Sequence, residues 1–129
     1  MRNRIIRALV TTGFAGCALG AFGAASAHHS FATFDQNHTV TLVGTVKEVQ
    51  WTNPHIWVQV MVKSPDTGQT VEWSIEGGSP NGLNRAGWKR TSIKPGDAIE
   101  ITIHPLKDGS HGGSMMRVIV NGQPIGRRL

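Results

Sequence analysis

Past residue 39, hydrophobic and polar positions alternate through most of the chain, and a period of two marks half-buried β-strands. From Val40 to Trp51 (VTLVGTVKEVQW) the apolar set is Val40, Leu42 and Val46, then shifts parity to Val49 and Trp51. A parity shift beside Gly44 and Lys47-Glu48 predicts a bulged, strongly bent strand. Thr52-Asn53-Pro54 turns the chain. His55 to Lys63 alternates cleanly: Ile56, Val58, Val60 and Val62 form the expected core face, while His55, Trp57, Gln59, Met61 and Lys63 share the other. Pro65-Asp66-Thr67-Gly68 reads as a hairpin loop, and Thr70 to Glu76 returns with Val71, Trp73 and Ile75 facing inward.

Gly77-Gly78 breaks this third strand. Ser79 then stands where a helix N-cap belongs and Pro80 at the first helical position, which predicts a short helix or turn to about Trp88, anchored by Leu83 and Trp88. Lys94-Pro95-Gly96-Asp97 turns into a fourth strand, Ala98–Pro105, alternating on Ile99, Ile101 and Ile103. Lys107 to Gly113 reads as a polar, Gly-rich loop, Met115 to Asn121 as the last strand, and residues 122–129 as a tail ending in Arg127-Arg128-Leu129. Residues 28–39 lack a period and are expected to form an extended arm pinned by Phe31 and Phe34. A bent first strand and a helix between strands three and four define an all-β chain: a five-stranded Greek-key barrel of the OB type over residues 40–121. A small β-sandwich is the alternative.

The first 27 residues read differently. Arg2, Arg4 and Arg7 precede an apolar, uncharged segment from Ala8 to Ala24, and Ala25-Ser26-Ala27 supplies the small residues of a signal-peptidase site. The expectation is a signal peptide over residues 1–27 and a periplasmic or secreted protein starting at His28. No stable membrane insertion is expected after cleavage, since the segment is short and Gly-rich. Three of the thirteen Lys and Arg residues lie in the leader, leaving ten against eight acidic residues, so charge does not imply a nucleic-acid partner. The single cysteine, Cys17, also lies there, which excludes a disulfide, a thiolate ligand or a cysteine nucleophile in the mature chain. A lipoprotein acylated at Cys17 is the minor alternative; Phe14-Ala15-Gly16-Cys17 is a poor lipobox.

The motifs AHHSF (27–31), WTNPHIW (51–57), GSPNGL (78–83), GW (87–88) and KPGD (94–97), in this order, resemble a family of small secreted bacterial proteins catalogued only as a domain of unknown function. The resemblance implies secretion and a compact β fold. It implies no activity and no catalytic residues.

Chemistry is concentrated in six histidines, all in the mature chain. Histidine is the commonest nitrogen ligand, and without cysteine the copper-type ligand sets left are His with Met. Cleavage after Ala27 would put the α-amine and the Nδ1 of His28 on one metal ion, with His29 adjacent and one distant imidazole completing a T-shaped copper site. Cleavage one residue earlier would place histidine third, the arrangement of a square-planar Cu(II) site. The candidate metal ligands are therefore His28, His29, His55, His104 and His111, with copper as the possible cofactor. A second reading makes the chain a non-enzymatic envelope interaction module, docking a protein partner through an exposed face of Trp57 and Met61. Enzyme activity is not expected: Ser30, Ser79 and Ser110 lack a nucleophile elbow, and no two carboxylates have a spacing that argues for acid–base work. Glu72 and Glu76 share an outer strand face and read as solvated.

Overall fold

The alternating segments become strands. The computed structural model describes residues 32–126. The expected signal peptide over residues 1–27, His28, His29, Phe31 and the last three residues lie outside them. The elements are β1 (Val40–Gln50), β2 (Trp57–Lys63), β3 (Thr70–Glu76), α1 (Pro80–Arg85), β4 (Ala98–Pro105), β5 (Gly112–Val120) and β6 (Gln123–Pro124). Sheet order is β3-β2-β1-β4-β5-β6, and a further β3–β5 pairing closes the first five strands into a barrel. This is the expected OB-type topology.

The parity shift in β1 has the expected cause. Its pairing with β2 slips between Val46 and Glu48, so Lys47 is an extra residue and the strand bends there. The bend lets β1 serve two ladders: Val40–Thr45 pair with β4, and Gly44–Gln50 with β2. Gly44 sits at the changeover, where a Cβ would overlap the Met61 carbonyl oxygen of β2. The β2–β3 hairpin runs in register from Trp57↔Glu76 to Lys63↔Thr70. Ile56, Val58, Val60, Ile75, Ile99, Ile101 and Ile103 fill the barrel and are essentially inaccessible to solvent. Burying each such side chain is worth about 1.5–3 kcal/mol.

One end of the barrel is capped by α1. Ser79 is the N-cap, its Oγ accepting the Gly82 N–H at 3.1 Å, and Pro80 follows. Leu83, Trp88 and Ile93 are buried beneath this cap. The helix ends at Arg85 and turns carry the chain on to Trp88, within the expected stretch of helix or turn.

Two elements extend past their expected limits. β5 begins at Gly112 rather than Met115, taking in glycines that read as loop, and the sheet continues past Asn121 into the two-residue β6. Asn121 and Gly122 both have positive φ and make the turn between β5 and β6.

Candidate functional site

β3 and β5 run parallel and pair only over Ser74–Glu76 and Gly112–Ser114. The seam is glycine-rich because two side chains would have no room. A Cβ on Gly112 would lie 2.7 Å from Leu106 Cδ1 and 3.0 Å from the Ser74 carbonyl oxygen. One on Gly113 would press on the His104 carbonyl and Ile103. With no side chain at Gly112, the outer surface over the seam is a cleft of about 360 Å³. Phe34, Trp57, Glu76, Leu106 and His111 wall it.

The arm reaches this cleft. Asp35 N–H donates to the Pro105 carbonyl at 2.8 Å and Lys107 N–H to the Thr33 carbonyl at 3.0 Å, while Phe34 is buried. Phe34 is thus one of the two pins expected; Phe31 falls outside the described residues.

Glu76 is the most constrained polar group of the cleft. The hairpin register places it across from Trp57 on the outer face. The Ile56 N–H to Gly78 and Gly77 N–H to Ile56 bonds continue that ladder and bring His55 alongside. His55 Nδ1 lies 2.5 Å from Glu76 Oε1, and the Glu76 side chain is only 12% exposed against 40% for His55. A carboxylate accepts, so Nδ1 is the donor, and in the neutral imidazole the lone pair is then on Nε2. Glu76 was expected to be solvated, and it is instead the fixed partner of a histidine. The signal was present in the sequence: a hairpin centred on Pro65–Gly68 that pairs Lys63 with Thr70 must also pair Trp57 with Glu76.

The other candidate histidines are held elsewhere. His104 Nδ1 donates to the His38 carbonyl at 2.8 Å, and His38 Nδ1 in turn meets Asp35 Oδ2 at 2.6 Å. The hydrogen bond from His38, then the Asn37 N–H, holds the Asp35 carboxyl below its usual range. His104 pairs with Ser114, which pairs with Glu76, so two strand steps of about 4.8 Å each separate His104 from Glu76. His111 turns to Trp73, ring centroids 5.0 Å apart and tilted by 48°. It lines both the cleft and a larger groove of about 680 Å³ between the start of β1 and the β2–β3 hairpin. Among the described residues no three His, Asp or Glu side chains converge to hold a metal. His28 and His29 lie outside those residues. Trp57 and Met61, expected to be exposed, are half-buried.

Fold and cleft together define a small OB-type barrel with a histidine–carboxylate pair beside the point where its arm arrives. The chain belongs to the family of unknown function DUF6152, which matches residues 17–115. None of the functionally curated proteins matches it significantly. Among solved structures it is similar to the mitochondrial single-stranded DNA-binding protein Rim1 of S. cerevisiae. One crystal form shares 10% identity over 65% of this chain and 93% of that one, with a TM-score of 0.50. A second form shares 12% identity over 70% and 98%, with a TM-score of 0.48. At such identity the likeness concerns the fold alone.

Proposed function

We propose that this is a small exported protein that binds or carries copper, its ion held by the His28 amine and imidazole with His29 adjacent and His55 as the distant ligand. One observation carries the reading: Glu76 meets His55 Nδ1 at 2.5 Å, so that Nε2 is the ring nitrogen left to face a metal ion. Carboxylate-oriented histidine is the usual second layer of a metal site, where it fixes the tautomer and raises ligand basicity. Chain length is compatible. Phe34 walls the same cleft as Glu76, and the five Cα–Cα steps from His29 to Phe34 reach at most about 18 Å. His111, which also lines the cleft, is the alternative third ligand. Three nitrogens suit Cu(II), which tops the affinity order of the divalent ions.

The competing reading, an envelope module docking through Trp57 and Met61, has less support. Both side chains are half-buried, and Met61 lies across from Glu72, which Lys47 bridges at 2.6 Å. Nucleic acid has no part in the reading either. Stacking needs exposed aromatic faces among basic residues, and Trp51, Trp57 and Trp73 are half-buried while Trp88 is buried.

The test is a Cu(II) titration of protein beginning at His28, followed by electron spin resonance. Nitrogen hyperfine lines are expected, and they are lost when one residue is added ahead of His28. Glu76→Gln should weaken binding roughly ten- to a hundredfold through a reoriented His55. Affinity should fall as pH drops, because the nitrogen ligands must be deprotonated. Weak binding that ignores both the added residue and the Glu76 change would sink the proposal.

A further inference from the structure

Charge is unevenly spread over this barrel. From Gly77 to Gly96 the chain carries no acidic residue, yet it carries Arg85, Lys89, Arg90 and Lys94. All four are exposed on α1 and the turns after it, on the outside of the cap that covers Leu83, Trp88 and Ile93. Among the described residues none of the four is bridged to a carboxylate; Arg90 reaches only the Trp51 carbonyl, at 3.5 Å. The carboxylate at the end of this stretch, Asp97, is engaged by the Lys94 N–H and by Asn121 Nδ2. Gly126, the last described residue, packs on the Trp88 indole.

We infer that this basic cap is a docking surface for an anionic phospholipid bilayer, which the protein would touch peripherally. The cap itself selects this partner. A protein interface needs an apolar or aromatic anchor at its centre. The exposed large hydrophobic residues among those described are Val40 and Val43, on β1 and not on the cap. Between the basic residues lie Gly87, Thr91, Pro95 and Gly96, all exposed. Single-stranded nucleic acid needs freely exposed aromatic faces for stacking; here Trp88 is 2% exposed and Trp51, whose carbonyl Arg90 reaches, is half-buried. A lipid headgroup layer asks for clustered positive charge and nothing more. The inference is independent of the metal reading, since none of these residues touches the cleft.

The experiment is vesicle co-sedimentation of the chain from residue 28 onward, comparing phosphatidylglycerol-rich with pure phosphatidylcholine vesicles. Binding is expected only to the anionic vesicles and is expected to fade as salt is raised, since the Debye length shrinks from about 10 Å at 0.1 M to about 3 Å at 1 M. The triple variant K89E/R90E/K94E should lose at least about a hundredfold in partitioning, each basic residue near such a surface being worth roughly fivefold. The triple K63E/K107E/R117E makes the same change in net charge elsewhere on the barrel and should keep most of the binding. Circular dichroism of both variants checks folding at these exposed sites. Equal losses in the two triples would overturn the inference, as would equal binding to neutral vesicles. So would binding to a single-stranded oligonucleotide or to polyglutamate that is tighter than binding to the anionic vesicles at equal charge concentration and is lost in K89E/R90E/K94E.

Discussion

The barrel is closed in two ways. At the cap, large side chains do the work: Leu83, Trp88 and Ile93 are buried under α1 and its turns. At the β3–β5 seam, closure depends on side chains being absent, because Gly112 and Gly113 let two strands and Leu106 approach. The cap gains stability from apolar area removed from water, whereas the seam gains from backbone pairing that a single methyl group would obstruct. Chemistry follows the same division. The fixed histidine–carboxylate pair sits by the seam, where a missing side chain leaves a cleft, and the cap presents charge on an otherwise filled surface.

Substitutions at each site should separate the two modes. Trp88→Ala should have the largest effect, about 3–5 kcal/mol, through the cavity it leaves beneath the cap. Trp88→Phe sharpens the point. The indole Nε1 is buried without a hydrogen-bond partner among the described residues, so losing it should cost under about 1.5 kcal/mol. Urea unfolding of the two variants checks this pair, and near-equal losses would show that something other than volume holds the cap.

At the seam, Gly113→Ala adds one methyl group that must push against the His104 carbonyl and Ile103, and backbone yields poorly. The expected loss is about 1–3 kcal/mol. If the variant were as stable as the parent, the seam would not depend on close approach. Ser79→Ala, which removes the Oγ that accepts the Gly82 N–H, should cost about 1 kcal/mol by the same unfolding measurement.

The smallest effect is one of pH. The Asp97 carboxyl is held below its ordinary value of 3.8, first by the hydrogen bond from Asn121 and then by the Lys94 N–H. A depressed pKa means the unfolded chain takes up the proton first on acidification. The contribution of Asp97 is therefore fully present above pH 3.8 and lost as pH falls through the lower folded-state value. Thermal unfolding followed downward from neutral pH should fall less steeply for Asp97→Asn than for the parent. Parallel curves would mean that the Lys94–Asp97 turn adds nothing through charge.

The strands were legible in the sequence wherever one face was apolar. β3 and β4 have their expected limits, the slip at Lys47 matches the parity shift, and Ser79 caps the helix as its neighbours imply. The start of β5 was not legible, because Gly112 and Gly113 are chosen for what they leave out, and composition alone cannot distinguish that from a flexible loop. β6 was signalled by Asn121-Gly122, a pair suited to a tight hairpin with positive φ at both residues. Its strand is too short to alternate, however. For the site, histidine content marked the residue type without their convergence. The pairing of His55 with Glu76 comes from hairpin register, and the separation of His104 from it comes from strand order, neither of which is a property of a local window.

The short parallel ladder at Ser74–Glu76 has a consequence for how this molecule breathes. It is the last pairing needed to complete the ring, it joins segments far apart in sequence, and it is held by few backbone bonds. It is therefore the natural place for the barrel to unzip before global unfolding. The cleft straddles that line, with Glu76 on one strand and Gly112 on the other. Whatever occupies the cleft acts as a clasp across the zipper. Slowed hydrogen exchange at the Ser74 amide, which donates to the His111 carbonyl at 3.1 Å, would then report occupancy without any assay of activity.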